Sequence, residues 1–247
     1  MRYEPRDEDI VSLPPYRGIP LKMYLPDRND GIQAEKRGTG TTGQEILLDR
    51  ALSYVPMFPS VVDVGAHVGT TVFWFYQKAG ARHVTAIEPG EYTRSILEAN
   101  LVLNGISNRV DVVGAAAGAR EGYARLAFTN PNNTGTDTYR ECPQSDEAVP
   151  VVTLDGILAG VTGRVDVIKL DAEGSEADVL EGARKLIGRD RPAIFIEIWR
   201  PGIRVLDPGY DTADGYVRTI GKLAELDYVV AERLDDDNYL FVPAERA

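Results

Sequence analysis

The stretch VVDVGAHVGTT, residues 61–71, decides the fold. An apolar run meets two glycines four positions apart, with Asp63 just ahead of them. This is the pattern of a strand that turns sharply into a helix. Gly65 permits the tight turn, and Gly69 lets the following helix pack closely. The stretch is not G-x-G-x-x-G. The middle glycine that lets backbone approach a pyrophosphate is missing, and Asp63 would repel a pyrophosphate in a partly dry cleft. A ligand carrying an ammonium and a sulfonium would be attracted instead. The pattern points to S-adenosylmethionine rather than to a dinucleotide. Taken alone, it also reads as a plain strand turn in which Asp63 caps the helix.

Outward from this turn the chain alternates. Residues 60–65 and 83–89 read as strands, with a helix over 70–80 between them closed by Gly80. A helix over 93–105, closed by Gly105, leads to a strand over 109–118. Residues 149–158 hold a further strand that suits a sheet edge. A strand over 165–174, a helix over 176–187 and a strand over 192–199 follow. A helix over 214–226 precedes a hairpin over 228–243 that turns at DDDN. Such alternation gives an α/β fold, a mostly parallel sheet covered on both faces and wound by right-handed crossovers. Ahead of it, residues 1–43 are rich in Pro, Gly and charge, with a short strand over 21–26 and a turn over 27–32. Residues 44–57 have helical spacing, stopped by Pro56 and Pro59.

Ligands in such sheets bind beyond the carboxyl ends of the strands, near the switch in strand order. After the second strand come Glu88 and Pro89, roughly 20 residues beyond Gly65. An acid there accepts two hydrogen bonds from a ribose diol, and a nicotinamide cofactor would use the same acid. Glu88 also reads as a helix N-terminal charge. After the third strand, GAAAG (114–118) leaves room for a flat base, with Ala116 and Ala117 facing adenine or merely packing. After the fourth, Lys169, Asp171, Glu173 and Glu176 crowd a strand exit. Acids there often serve as caps and dipole partners. Asp171, however, falls at the sheet centre, where the reactive end of the ligand belongs. After the fifth, Glu197 lies in an apolar strand and needs a partner. The polar connection 129–150 reads as a lid over the acceptor, or equally as a solvated excursion. Tyr139, Arg140 and Trp199 are candidates for acceptor contact.

Composition narrows the partners. A net charge of −11 over 247 residues, with no Lys/Arg cluster, disfavours nucleic acid and suits a small molecule. Cys142 stands alone, and His67 and His83 are the two histidines, so an internal disulfide is excluded and an imidazole metal site nearly so. The charged, proline-rich start is unlike a signal peptide, and no apolar run approaches ~20 residues. A cytoplasmic protein without a membrane partner is expected. The run LDDDNY (234–239) lacks the glycine and distal glutamate of a calcium loop.

Taken together, DVGAHVG, IEP, LEANLVLNG, VTLDGIL, IKLDAEGSEADVLEGA and IFIEI resemble the FkbM-type methyltransferases. The likeness runs over roughly residues 43–199 and includes GQE (43–45), similar to the family's short G-x-E element. It implies S-adenosylmethionine as cofactor and a seven-stranded, Rossmann-like class I methyltransferase fold. By the resemblance, Asp63, Gly65 and Gly69 would contact the methionine end, and Glu88 would bind the ribose. Asp171 and Glu173 would lie near the transferred methyl. Glu45, Ala66, His67, Pro89, Ala116 and Ala117 complete the expected cofactor set. NTG (133–135) is similar to a family element and would hold Asn133 and Thr134 over the cleft, toward the acceptor. Position 67 is often asparagine in the family. His67 is either an extra base or a turn hydrogen bond, the turn being favoured. The expected organisation is an N-terminal extension over 1–43, a lid or a homodimer contact, and a methyltransferase domain over 44–247.

The reaction expected is O-methylation of a hydroxyl on a sugar or secondary metabolite. Asp171 and Glu173 are the first candidates for base or orienting group, with His67 third and Glu197 beside the acceptor. In a variant of this reading, Asp171, Glu173 and Glu197 supply oxygen ligands to Mg²⁺. The rivals are a nicotinamide-dependent oxidoreductase, opposed by Asp63 and the missing glycine, and a non-catalytic cofactor-binding module.

Overall fold

The computed structural model describes residues 6–16, 19–130, 132–202 and 210–247. The first residues of the N-terminal extension and part of the connection after Trp199 lie outside these. The chain opens with an antiparallel hairpin, β1 (Ile10–Tyr16) and β2 (Ile19–Tyr24). Helices α1 (Gly31–Thr39) and α2 (Gly43–Arg50) follow. The sequence reading gave no helix before residue 44. α1 escapes a search for apolar period because its buried positions are Gln33 and Lys36. What starts it is Asp30, whose carboxylate accepts from the Gln33 N–H. α2 starts on a capping box between Thr42 and Glu45. It stops at Arg50, short of the expected 57, where the chain tightens into a 3₁₀ turn over Leu52–Tyr54.

The alternation then proceeds through β3 (Ser60–Val64), α3 (Thr70–Trp74), β4 (His83–Ile87), α4 (Glu91–Leu103) and β5 (Val110–Val113). α3 loosens into a π-helical turn over Phe75–Ala79 before Gly80. Next come β6 (Ala116–Ala117), β7 (Gly122–Phe128), β8 (Thr138–Glu141) and β9 (Val149–Val152), a second sheet in the order β6-β9-β7-β8. This sheet is a correction to the sequence reading. The expected strand over 109–118 breaks at Gly114, and the connection 129–150 contains β8, which pairs with β7. β9 is the strand expected within residues 149–158, set between β6 and β7 rather than at an edge, and the stretch ends in the helix α5 (Leu154–Ile157), capped by Thr153.

β10 (Val167–Leu170), α6 (Glu176–Glu181), α7 (Arg184–Asp190) and β11 (Ala193–Glu197) continue the alternation. α8 (Thr212–Glu225), β12 (Tyr228–Arg233) and β13 (Asn238–Pro243) end it. The main sheet has seven strands in the order β12-β13-β11-β10-β3-β4-β5. β11 through β5 are parallel, and β13 and β12 add the antiparallel hairpin. This is the α/β architecture with a C-terminal hairpin expected from the sequence. The strand order reverses beside β3, so the exits of β3 and β10 are neighbours. Asp63 stands opposite Lys169 in register, and Val64 opposite Leu170.

Both faces of the sheet are apolar, as parallel strands under helices require. Val61, Ala86, Val167 and Phe195 face one core, with Leu21 and Met23 of β2, Phe73 of α3 and Leu97 of α4. Val62, Val64, Ile168 and Ile196 face the other, with Leu180 of α6, Ile187 of α7 and Leu223 of α8. No helix among the described residues is long and apolar enough to cross a membrane.

The N-terminal hairpin is fastened by two asparagines, Asn100 of α4 and Asn104 at its C-cap. The Asn100 amide bonds both the N–H and the C=O of Tyr24, and also the Val68 carbonyl. The Asn104 amide bonds the N–H and C=O of Lys22. The spacing works because four helical residues rise about 6 Å and two strand residues about 6.6 Å. Two side-chain amides thus stand in for a neighbouring strand. Asn100 is fully buried, so Asn100→Ala strands three backbone groups. A loss of about 2–4 kcal/mol is expected in urea unfolding. A loss below about 0.5 kcal/mol would show that the hairpin is held elsewhere.

Candidate functional site

A cavity of about 510 Å³ opens at the carboxyl ends of β3, β4 and β10. That is in the range of small-ligand pockets. The turn Gly65–His67 forms its floor, with Glu88, Pro89 and Ala115–Ala117 toward one end. Asp171, Glu173, Glu197 and Trp199 line the other. Residues 133–139 and Ile32, Gln44 and Leu47 of the N-terminal segments complete the wall.

The floor is fixed by a buried cation. Gly65 has φ +77, and a Cβ there would overlap the Asp171 carbonyl oxygen. Only glycine lets the two strand exits close on one another. The Lys169 ammonium lies 3.4 Å from Asp63 Oδ1 and 3.5 Å from Asp171 Oδ2, and donates to the Gly65 carbonyl at 2.9 Å. Burial favours the neutral amine, but the charges of Asp63 and Asp171 outweigh it and hold the Lys169 pKa up. Asp63 is completely buried and also accepts from Thr71 Oγ1. It lies behind the turn and is not among the residues that line the cavity. Its charge is spent on Lys169. Gly69, at φ +96, is likewise off the wall, where a Cβ would sit 2.6 Å from Leu97 Cδ1. Its role is the close helix packing read from the sequence.

At the first end, Glu88 Oε1 accepts from the Gly90 N–H at 2.8 Å and Thr93 Oγ1 at 2.9 Å. Glu88 Oε2 accepts from the His67 N–H at 2.8 Å. A carboxylate has about four acceptor sites, so one remains, on Oε2. His67 has φ +50, and its Nε2 lies 2.8 Å from Thr134 Oγ1. That hydroxyl gives its single hydrogen to Asp30 Oδ2 at 2.8 Å. It must therefore accept from His67, which fixes neutral His67 as the Nε2–H tautomer. The chain His67–Thr134–Asp30 ties the turn to the loop 133–135 and to the start of α1. Tyr139 also lines this end, and burial, then the Glu88 charge, pushes its phenol up to about 12.

At the second end, Asp171 Oδ2 accepts from Gln44 Nε2 at 2.5 Å. One oxygen from each of Asp171, Glu173 and Glu197 lies within 4.8 Å of the others. Burial, then the charges of Asp171 and Glu197, raises the Glu173 carboxyl well above the ordinary range. Burial and Asp171 do the same to Glu197. Glu173 sits at φ +49, and its Oε2 is buried without a protein partner, as is Asp171 Oδ1. Glu176 is buried below the loop and accepts from the N–H groups of Ala172 and Gly174.

Of the residues expected from sequence, the cavity wall brings together Gly65, Ala66, His67, Glu88, Pro89, Ala116, Ala117, Asp171 and Glu173. It also includes Asn133, Thr134, Tyr139, Glu197 and Trp199. Two others it does not include. Glu45 is buried in its capping box and holds the Lys36 ammonium at 2.6 Å, so its charge fastens α1 to α2. Arg140 is exposed on β8, one residue past the wall. The sequence reading missed Gln44, Ile32 and Asp137. Gln44 lies inside the GQE stretch, which was its available signal. Ile32 and Asp137 carried none, since both depend on how distant segments fold over the sheet.

A family model described as the methyltransferase FkbM domain matches residues 63–214. The chain belongs to the FkbM methyltransferase family. Methyltransferase sdnD of Sordaria araneosa is 25% identical over 209 residues, 68% of this chain and 80% of that protein. Methyltransferase 1 of Beauveria bassiana (strain ARSEF 2860) is 26% identical over 163 residues, 56% of this chain and 65% of that protein. The crystal structure of an FkbM methyltransferase from Methylobacillus flagellatus KT superposes with TM-score 0.52 at 23% identity. The likeness covers 74% of this chain and 43% of that one, and speaks to the shared Rossmann-like class I fold. Membership sets aside the oxidoreductase reading.

Two outcomes follow from the floor and its support. Gly65→Ala is expected to weaken or abolish ligand binding and to cost about 2–4 kcal/mol in unfolding, as overpacking and positive φ combine. A stable, fully binding variant would contradict the close approach. The Glu176 carboxyl is pushed up to about 7, chiefly by burial. A carboxyl raised in the folded state contributes stability at acid pH that is lost as pH rises through about 7. Glu176→Gln keeps the acceptor and should remove up to roughly 3 kcal/mol of that decline, read from urea midpoints at about pH 5 and about pH 7.5. An unchanged decline would count against a buried, proton-holding Glu176.

Proposed function

We propose that this methyltransferase moves the methyl group of S-adenosylmethionine to a hydroxyl of a small molecule, a sugar or secondary metabolite. The observation that carries the reading is one continuous cavity with two unlike ends. Glu88, with one acceptor site left and an alanine wall nearby, suits an adenosine. The carboxyl cluster around Asp171 suits a sulfonium and the group that attacks it. One ribose hydroxyl, rather than both, is then expected on Glu88.

The step is an in-line displacement. A lone pair of the acceptor oxygen attacks the methyl carbon, and the C–S pair returns to sulfur, leaving S-adenosylhomocysteine. The hydroxyl proton passes to a carboxylate. Glu173 is the better base, because its Oε2 has no protein partner and its affinity for a proton is raised. Gln44 donates to Asp171 and Lys169 faces it, which holds that carboxylate in place and suits an orienting role. His67, with Nε2 committed to Thr134, suits the turn. Three carboxylate oxygens also suit Mg²⁺. Lys169 already supplies positive charge beside Asp171, and the mechanism runs without a cation.

Calorimetry tests the cofactor. Micromolar or tighter binding of S-adenosylhomocysteine and none of NADH is expected, and NADH binding alone would overturn the reading. Once an acceptor is found, Glu173→Gln should keep S-adenosylhomocysteine affinity within about threefold and lose about 100-fold or more in transfer. Transfer should survive EDTA. Loss restored by Mg²⁺ would assign the acid cluster to a cation instead.

A further inference from the structure

The wall left by β5 and β6 poses a problem for recognising a base. Residues 114–118 are Gly and Ala, so they offer a flat backbone surface and no side-chain hydrogen bond. Whatever distinguishes one base edge from another must reach across from the loop over the cavity. Most polar side chains of that loop are occupied within it. Asn133 accepts from the Gly135 N–H, Thr136 Oγ1 donates to the Asn133 carbonyl, and Thr134 is fixed between His67 and Asp30. Asp137 differs. It lines the cavity, and its Oδ1 is buried with no protein partner. Thr129 and Asn130 hold the carboxylate from within the loop. Glu88 and His67 are both among its electrostatic neighbours, which puts it at the Glu88 end.

We propose that Asp137 reads the exocyclic 6-amino group of the cofactor's adenine, and so selects an adenosyl over an inosyl ligand. The proposal rests on the S-adenosylmethionine reading. A buried carboxylate oxygen is an acceptor only, and the 6-amino group is the donor that the base presents on its edge. An acceptor-only side chain also rejects a base with a carbonyl in that position, because two acceptors then face one another without a hydrogen. Burial and the Glu88 charge raise the Asp137 carboxyl, as expected of a carboxylate waiting for a donor. Leu126 and Phe128 of β7 pair with Tyr139 and Thr138 of β8, so the strand after Asp137 is held in the second sheet. This gives the second sheet a function. It carries a reading group from a distant part of the chain to the open side of the base.

The test is calorimetry with S-adenosylhomocysteine and S-inosylhomocysteine, on the wild-type protein and on Asp137→Asn. The wild type should bind the inosyl ligand at least about 30-fold more weakly. Asp137→Asn can donate to a 6-oxo group, so the preference should fall to within about threefold or invert. Inosyl binding by the variant shows in the same titration that it is folded. Equal binding of the two ligands by the wild type overturns the proposal, as does a variant that keeps the full preference. Failure of the wild type to bind S-adenosylhomocysteine at all is a different result, and overturns the cofactor reading underneath it.

Discussion

A single buried ammonium organises the molecule. Lys169 enters the sheet opposite Asp63, at the point where strand order reverses, and ends against Asp171 and the Gly65 carbonyl. An unpaired ammonium there would cost several kcal/mol in lost hydration, and an unpaired Asp63 as much. Neither residue is tolerable without the other. Their pairing draws the exits of β3 and β10 together, and the approach is so close that position 65 admits only glycine. The turn that results is both the floor of the cavity and the support of His67 and Ala66.

The charge balance has a consequence for the chemistry. Lys169 faces two carboxylates, so the group remains negative by about one charge before Glu173, Glu176 and Glu197 are considered. Further ionisation in this dry place is opposed by burial and by neighbouring charge, and these three carboxyls are raised accordingly. The cavity thus sets two carboxyls of raised proton affinity, Glu173 and Glu197, beside the Lys169 cluster.

The sheet was legible because its rules are local. Apolar runs of 4–5 residues, glycines at helix ends and acids at strand exits all lie within a few positions of one another. The cavity floor and its acid end were legible for the same reason. What escaped depends on contacts across the chain. α1 buries Gln33 and Lys36 and shows no apolar stripe, because its core contact is the Lys36–Glu45 ion pair. β7 exposes Arg125, Leu126 and Ala127 in succession and so shows no alternation, and becomes a strand through its partners β8 and β9. Asp63 lies off the cavity wall, although an acid at a strand exit normally faces the cleft. The sequence carries no sign that Lys169, over 100 residues away, takes its charge. Glu45, paired with Lys36, and Arg140, exposed on β8, also lie off the cavity wall.

The central claim is that one S-adenosyl ligand spans this cavity from Glu88 to Asp171. A crystal structure of the protein with S-adenosylhomocysteine tests it most directly. The account predicts a ribose hydroxyl on Glu88 Oε2, adenine against Ala115–Ala117 beneath Asp137, and sulfur directed toward Asp171 and Glu173. A ligand bound in the reverse sense, or outside the turn Gly65–His67, would contradict it.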